Sequence, residues 1–267
     1  MNEKDLTLIE HIDEIRKRLM IIVVFFVLAV VASFFLAEPL IHFLQYSEEA
    51  KSLTLNAFTI TDPIMIYLKV IIFIAMVFTS PVLLYQLWGF VSPGLYETER
   101  KATLSYIPFT FFLFVGGILF SYEVLFPYVI NFMMLLSDDL GINQVIGINE
   151  YFNFLFQITL PFGIIFQLPI VLLFLTRLGM VTPMMMVRVR KYAYFILFVI
   201  AAFITPPDIF SHLIVTLPLF VLYEISVMIS RIGYKKYLKA EQNRQMDEHQ
   251  ALIDDMNKRK NESLPPQ

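Results

Sequence analysis

The chain of 267 residues contains no cysteine and little charge. The absence of cysteine excludes disulfide bonds, thiolate metal sites and a cysteine nucleophile. None of the four histidines occurs in an H-E-x-x-H motif and no phosphate-binding loop is present, which argues against a zinc peptidase of that type and a P-loop ATPase. Charged residues make up 16% of the chain, against about 25% in an average soluble domain, and 58% of the residues are hydrophobic. This composition is typical of a helical membrane protein.

Long apolar stretches alternate with clusters of charge along the chain. A bilayer core about 30 Å thick needs about 20 helical residues, and an isolated strand in lipid would leave its backbone groups unpaired. We therefore predict an all-α, polytopic membrane protein with six transmembrane helices. The predicted spans are Leu19–Ala37, Pro63–Trp88, Thr103–Tyr122, Tyr151–Leu175, Tyr192–Ile204 and Ile209–Ile229. The fifth span is short, since its helix would be only about 20 Å long.

The basic residues indicate how the chain is oriented in the membrane. Eighteen of the twenty lysines and arginines lie before the first span, in the second and fourth connections, or after the last span. The first, third and fifth connections contain only Lys51. Because basic residues are enriched on the cytoplasmic side, we predict that both termini are cytoplasmic. An even number of spans is consistent with this alternation.

The sequence suggests three regions of different character. Residues 1–18 are predicted to form a cytoplasmic helix at the membrane interface, in which Glu14 and Arg18 are spaced as an i,i+4 ion pair. Residues 19–231 form the six-helix domain, and residues 232–267 a polar, partly helical cytoplasmic tail. Prolines inside the spans predict a kinked, curved bundle, and these are Pro81, Pro108, Pro161, Pro169 and Pro218.

Several polar side chains fall within or beside the predicted spans. Lys69 is expected to extend its side chain to the interface. Gln167, near the middle of the fourth span, is suited either to a helix–helix hydrogen bond or to binding a partner. Glu224 either reaches cytoplasmic water or is functional. Asp208 is expected to cap the sixth helix, and its proximity in sequence to Ser211 and His212 is a poor arrangement for a catalytic triad.

Carboxylates cluster on the predicted cytoplasmic side, where basic residues would be usual. They precede the first span and recur in the first cytoplasmic loop, as Glu10, Asp13, Glu14, Glu97 and Glu99. Solvated surface charge is one explanation. A site for a cationic ligand is the other, because carboxylates accept paired hydrogen bonds from a guanidinium group.

Four separated motifs resemble those of the TatC family. Residues 10–19 read E-H-I-D-E-I-R-K-R-L, and residues 81–101 read P-V-L-L-Y-Q-L-W-G-F-V-S-P-G-L-Y-E-T-E-R-K. Residues 161–170 read P-F-G-I-I-F-Q-L-P-I, and residues 205–208 read T-P-P-D. Together, in this order and on six predicted spans, they cover nearly the whole chain.

The resemblance implies a core receptor and scaffold of the twin-arginine translocase. Such a protein binds twin-arginine signal peptides on the cytoplasmic side of the cell membrane. With single-span TatA-type and possibly TatB-type partners, and with other copies of itself, it exports folded proteins using the proton-motive force. No enzymatic activity, cofactor, metal or nucleic-acid partner is expected.

The motifs also assign residues. They imply that Glu14 and Glu99 receive the arginine pair, and that Arg16, Phe90, Pro93 and Leu95 support that surface. Structural or partner-sensitive positions are implied at Pro39, Pro81 and Asp208. Gln167 stands where some relatives have glutamate. Because an amide does not titrate, the resemblance does not imply a proton-carrying role at this position.

A small-solute secondary transporter is the alternative function. Such a protein is expected to have charges at the middle of the membrane and interrupted helices around a cavity. This sequence instead has one amide near the middle of a span, and its acidic cluster lies at the predicted cytoplasmic surface.

Overall fold

The computed structural model describes residues 8–51, 53–91, 106–177, 179–205 and 208–262. The chain is almost entirely helical there, and its elements follow in the order α1 Leu8–Gln45, α2 Glu48–Lys51, β1 Leu55–Asn56, α3 Asp62–Val91, α4 Tyr106–Phe120, a π-helical turn Ser121–Leu125, α5 Phe126–Asp139, β2 Ile146–Gly147, α6 Ile148–Ile165, α7 Leu168–Arg177, α8 Pro183–Arg188, α9 Arg190–Ile204 and α10 Ile209–Glu262.

The protein is a polytopic helical membrane protein. Within the described residues, five helical stretches are long and apolar enough to cross a membrane: Ile12–Gln45, Asp62–Phe90, Pro108–Asp139, Ile148–Arg177 and Ile209–Asn243. The predicted fifth span corresponds to α9, a helix of 15 residues and about 22 Å. The count of six spans and the positions of the termini remain predictions.

The third apolar helix is longer than the sequence suggested. The predicted span ended at Tyr122, but the helix continues through the π-helical turn into α5 and ends at Asp139. Pro127 lies in the first turn of α5, where its ring would meet the carbonyl of residue 123 in a regular α-helix. The wider π turn immediately before this proline lets the helix continue.

The prolines in the other apolar helices have different local effects. The fourth apolar stretch turns at Phe166 and Gln167, two residues before Pro169, and divides into α6 and α7. At Pro81, by contrast, α3 is continuous, because the Ser80 hydroxyl donates a 2.8 Å hydrogen bond to the Val77 carbonyl that the proline cannot reach. Pro39 also lies within a continuous helix, α1.

The first and the last helix of the described residues are both long. α1 passes through position 18 without a break, so the predicted boundary between the interfacial segment and the first span coincides with no change in backbone structure. α10 has 54 residues, about 80 Å, and carries much of the predicted tail. The division of the chain into three regions is not tested by these helices and remains a prediction.

The helices pack through aromatic side chains and through small residues at close crossings. Phe126, Phe152 and Phe162 are fully buried in the core. α4 crosses α6 near Gly117 and Gly163. At the end of the bundle where α7 contacts α10, the Thr176 and Ser230 hydroxyls are 2.6 Å apart. Such small residues allow membrane helices to approach closely.

Candidate functional site

Glu14 lies at the end of the bundle where α1 begins and α3 ends. Its side chain is 25% exposed, and Arg18, one helical turn later, is 24% exposed. Arg18 donates to the Glu14 Oε1 atom from Nε at 3.0 Å and from Nη2 at 2.5 Å. The i,i+4 pair predicted from the sequence is therefore present, and it forms a charge-assisted contact that is largely protected from solvent.

Arg18 also connects α1 to α3. Its Nη1 donates to the Gln86 side-chain oxygen at 3.2 Å, and its Nη2 donates to the Gly89 carbonyl at 2.8 Å. A Cβ atom at position 89 would overlap the guanidinium, so the lack of a side chain there lets Arg18 cross the helix. The sequence analysis did not find this connection, because the spacing within α1 does not show which face of α3 lies opposite.

The remaining residues assigned to signal-peptide binding have different surroundings. Arg16 is exposed, and Phe90 is half-buried beside Gly89 at the end of α3. Pro93, Leu95 and Glu99 lie outside the described residues. The structure thus brings Glu14 close to the α3 end that carries Phe90.

Gln167 is buried at the turn between α6 and α7. Its Nε2 donates to the Thr110 carbonyl of α4 at 3.2 Å. This is the helix–helix hydrogen bond that the sequence offered as one possibility. The Gln167 Oε1 atom is also buried, and no hydrogen bond reaches it within the described part of the chain. The amide therefore keeps one unused acceptor, which a partner helix could reach only after the surrounding helices rearrange.

Glu224 pairs with two residues of α9. Its Oε2 accepts from Arg190 Nη2 at 2.6 Å, and its Oε1 accepts from the Tyr194 hydroxyl at 2.5 Å. The Arg190 and Glu224 side chains are 37% and 35% exposed. The charge of Glu224 is therefore balanced by Arg190, and the contact joins α9 to α10.

Asp208 caps α10, as the sequence predicted. Its Oδ1 accepts from the Ser211 backbone N–H at 2.7 Å. The Ser211 hydroxyl is buried, and the His212 ring packs edge-on against Phe198 at 4.2 Å between centroids. No hydrogen bond joins these three side chains in the described region, which gives no support to a triad. There is also no cluster of three His, Asp or Glu residues suited to a metal among the described residues.

Lys69 makes polar contacts that the sequence analysis missed. Its Nζ donates to Asn149 Oδ1 at 2.5 Å and to Asn153 Oδ1 at 2.6 Å. One turn further along α6, the exposed Gln157 donates to the Phe203 carbonyl at 3.3 Å. The i,i+4 spacing of the three α6 amides was visible in the sequence, but it did not show that Lys69 lies opposite them.

The sequence and the fold match one family of known proteins. The family model for the Sec-independent protein translocase protein TatC matches residues 10–218. The chain belongs to the TatC family. It is 55% identical to the Sec-independent protein translocase protein TatC of Halalkalibacterium halodurans over 94% of this chain and 99% of that protein. It is 58% identical to TatCy of Bacillus subtilis over 90% of this chain and 94% of that protein.

A solved structure of the TatC family has the same fold. The crystal structure of a twin-arginine translocase receptor, TatC, matches with a TM-score of 0.75 and 31% identity, over 84% of this chain and 99% of that one. The present chain is thus a TatC-type core receptor of a twin-arginine translocase. The TatC family model includes Glu14, Arg18, Gln167 and Asp208 but ends before Glu224.

Proposed function

We propose that this chain binds twin-arginine signal peptides through Glu14 and Glu99 on the cytoplasmic side of the cell membrane. The observation that carries the proposal is the geometry of Glu14. Its carboxylate is partly desolvated at one end of the bundle, and both hydrogen bonds from Arg18 go to the Oε1 atom. Among the described residues no hydrogen bond reaches Oε2, which is free to accept a guanidinium N–H.

Partial burial matters because an exposed ion pair would discriminate weakly. Exposed ion pairs contribute only about 0–1 kcal/mol. A hydrogen bond to a charged group is roughly twice as strong as one between neutral groups, and shielding from water strengthens it further. Arginine suits such a site better than lysine, because its planar fork can contact two acceptors at once. Arg16, Phe90, Pro93 and Leu95 are proposed to shape the surrounding surface.

Charge reversal tests the proposed site. Glu14→Lys and Glu99→Lys should each weaken crosslinking of a twin-arginine peptide to the full chain in membranes, while insertion is retained. Asp13→Lys is the matched control, since Asp13 precedes Glu14 in the same helix and is exposed. Wild-type crosslinking in both glutamate variants would remove them from the site, and equal loss in Asp13→Lys would indicate a general effect of charge.

The proposed orientation places both termini in the cytoplasm. It is supported by the asymmetry of the basic residues and can be tested by single-cysteine labelling, because the chain has no cysteine of its own. Asn143→Cys should react with an impermeant thiol reagent added to intact cells, whereas Gln245→Cys should react only after the membrane is opened. Labelling of Gln245→Cys in intact cells would contradict the orientation.

The chain is further proposed to export folded proteins with TatA-type, and possibly TatB-type, single-span subunits and with other copies of itself, using the proton-motive force. The support is membership of the TatC family. Co-purification of a TatA-type subunit with the tagged chain, and export of a folded reporter only when both are present, tests the assembly.

A further inference from the structure

Arg18 holds Glu14 in a fixed position by attaching it to a second helix. An exposed i,i+4 pair on an isolated helix would be mobile and weak. Here the guanidinium donates to Gln86 and Gly89 of α3 as well as to Glu14. Gln86 is 8% exposed, so this attachment is largely buried. The position of the Glu14 carboxylate therefore depends on α3 as well as on α1.

We infer that Arg18 is a positioning residue for the arginine pair of the signal peptide, an inference that rests on the proposed function. By occupying Oε1, Arg18 fixes the Glu14 rotamer and leaves Oε2 as the acceptor for the incoming guanidinium. The carboxylate then lies between two guanidinium groups, one resident and one from the peptide. Fixing the acceptor in advance removes part of the ordering cost of binding.

The pair also makes this half of the site nearly neutral. The positive charge of Arg18 offsets the negative charge of the Glu14 carboxylate, so net charge alone does not attract a cation to this half of the site. Binding then depends on the directed hydrogen bond to Oε2, which favours the fork of arginine over the point charge of lysine. Arg18 should therefore affect discrimination between arginine and lysine peptides as well as affinity.

The contacts favour positioning over displacement. If the peptide displaced Arg18, the side-chain oxygen of the buried Gln86 would lose this donor, and a buried polar group without a partner is costly. Displacement nevertheless makes the opposite prediction, because removal of Arg18 would then expose Glu14 and strengthen binding. The two mechanisms can be separated by one set of variants.

A double-mutant cycle tests the inference on the full chain in nanodiscs, with twin-arginine and twin-lysine peptides as probes. Arg18→Gln and Glu14→Gln should each weaken twin-arginine binding by about tenfold, and the double variant should be no weaker than either single variant. Arg18→Gln should also reduce the preference for arginine over lysine. Additive losses would show that Arg18 acts independently of Glu14, and tighter binding by Arg18→Gln would show displacement; either result overturns the inference.

A glycine pair supplies a test that keeps both charges. Gly89→Ala should push the Arg18 guanidinium aside and weaken binding in the same direction as Arg18→Gln. Gly116→Ala is the matched control, because its new methyl group meets no atom within 4 Å. Unchanged binding by Gly89→Ala and Arg18→Gln, with the wild type still binding, would refute the role of Arg18. Failure of the wild type to bind the twin-arginine peptide would instead refute the proposed function.

Discussion

Two adjacent glycines in α4 should respond in opposite ways to the same substitution. A Cβ atom at Gly117 would lie 2.8 Å from the Phe162 carbonyl oxygen and 2.8 Å from the Phe166 ring. A Cβ atom at the facing Gly163 would lie 2.9 Å from side-chain atoms of both Phe114 and Ile118. At Gly116, one residue earlier, a Cβ atom would meet nothing within 4 Å. The two positions therefore differ in packing but share a helix, a depth and a residue type.

The expected magnitude follows from these contacts. In Gly117→Ala the helices must separate by several tenths of an ångström, because the carbonyl belongs to the backbone of α6 and cannot rotate away. Overpacking of this kind costs about 1–3 kcal/mol, while replacing a helical glycine with alanine contributes about 0.5–1 kcal/mol of stability. Gly117→Ala should therefore be destabilised by about 1–2 kcal/mol, and Gly116→Ala should be neutral or slightly more stable.

Thermal unfolding of the purified chain in one detergent measures the difference. A loss of this size lowers Tm by about 2–8 °C in a protein of this length. Gly163→Ala should behave like Gly117→Ala, since it widens the same crossing. Equal Tm values for Gly116→Ala and Gly117→Ala would refute the close packing of α4 against α6.

Three further outcomes are expected. Glu224→Gln should lower Tm, because it weakens the link to α9, and the exchange of charges in the Arg190→Glu, Glu224→Arg double variant should restore part of the loss. Gln167→Leu should reduce capture of a TatA-type helix without unfolding the bundle. Equal capture by the wild type and the variant would show that Gln167 serves only the internal hydrogen bond to Thr110. Gln157→Cys should react with a charged, impermeant thiol reagent, while Ile164→Cys, 64% exposed but surrounded by apolar residues, should not. Equal reactivity of these two cysteines would contradict a polar environment around Gln157.

The residue types and their spacing were sufficient to predict much of this fold. The long apolar stretches predicted the helical class, and the motifs predicted the family. The spacing of Glu14 and Arg18 predicted their ion pair, and Asp208 was correctly identified as a helix cap. These features depend on residues close together in sequence. Local spacing determines such contacts, so they can be found without knowing how the helices pack.

Contacts between distant helices were not predictable in the same way. Lys69 was expected to extend its side chain to the interface, and the sequence did not show that it also donates to two asparagines about 80 residues further along the chain. Glu224 was expected either to face water or to be functional, and its partners lie on α9. Each of these pairs depends on how two helices are rotated about their axes. A run of apolar residues contains little information about rotation when both the core and the lipid are apolar.

The polar contacts of α6 also bear on the short helix α9. Gln157 lies about 14 Å along α6 from its first residue, and it donates to a carbonyl one residue before the end of α9. The end of α9 is therefore level with the middle of α6 rather than with its beginning. Asn153 and Gln157 are exposed on the intervening stretch of α6, where amides facing lipid would be costly. Asn153 accepts from Lys69 and Gln157 donates to the end of α9, so both exposed amides already have partners within the bundle. We expect water to reach this part of α6 as well, and a thinner apolar layer there would suit a helix of 15 residues, where a full span needs about 20.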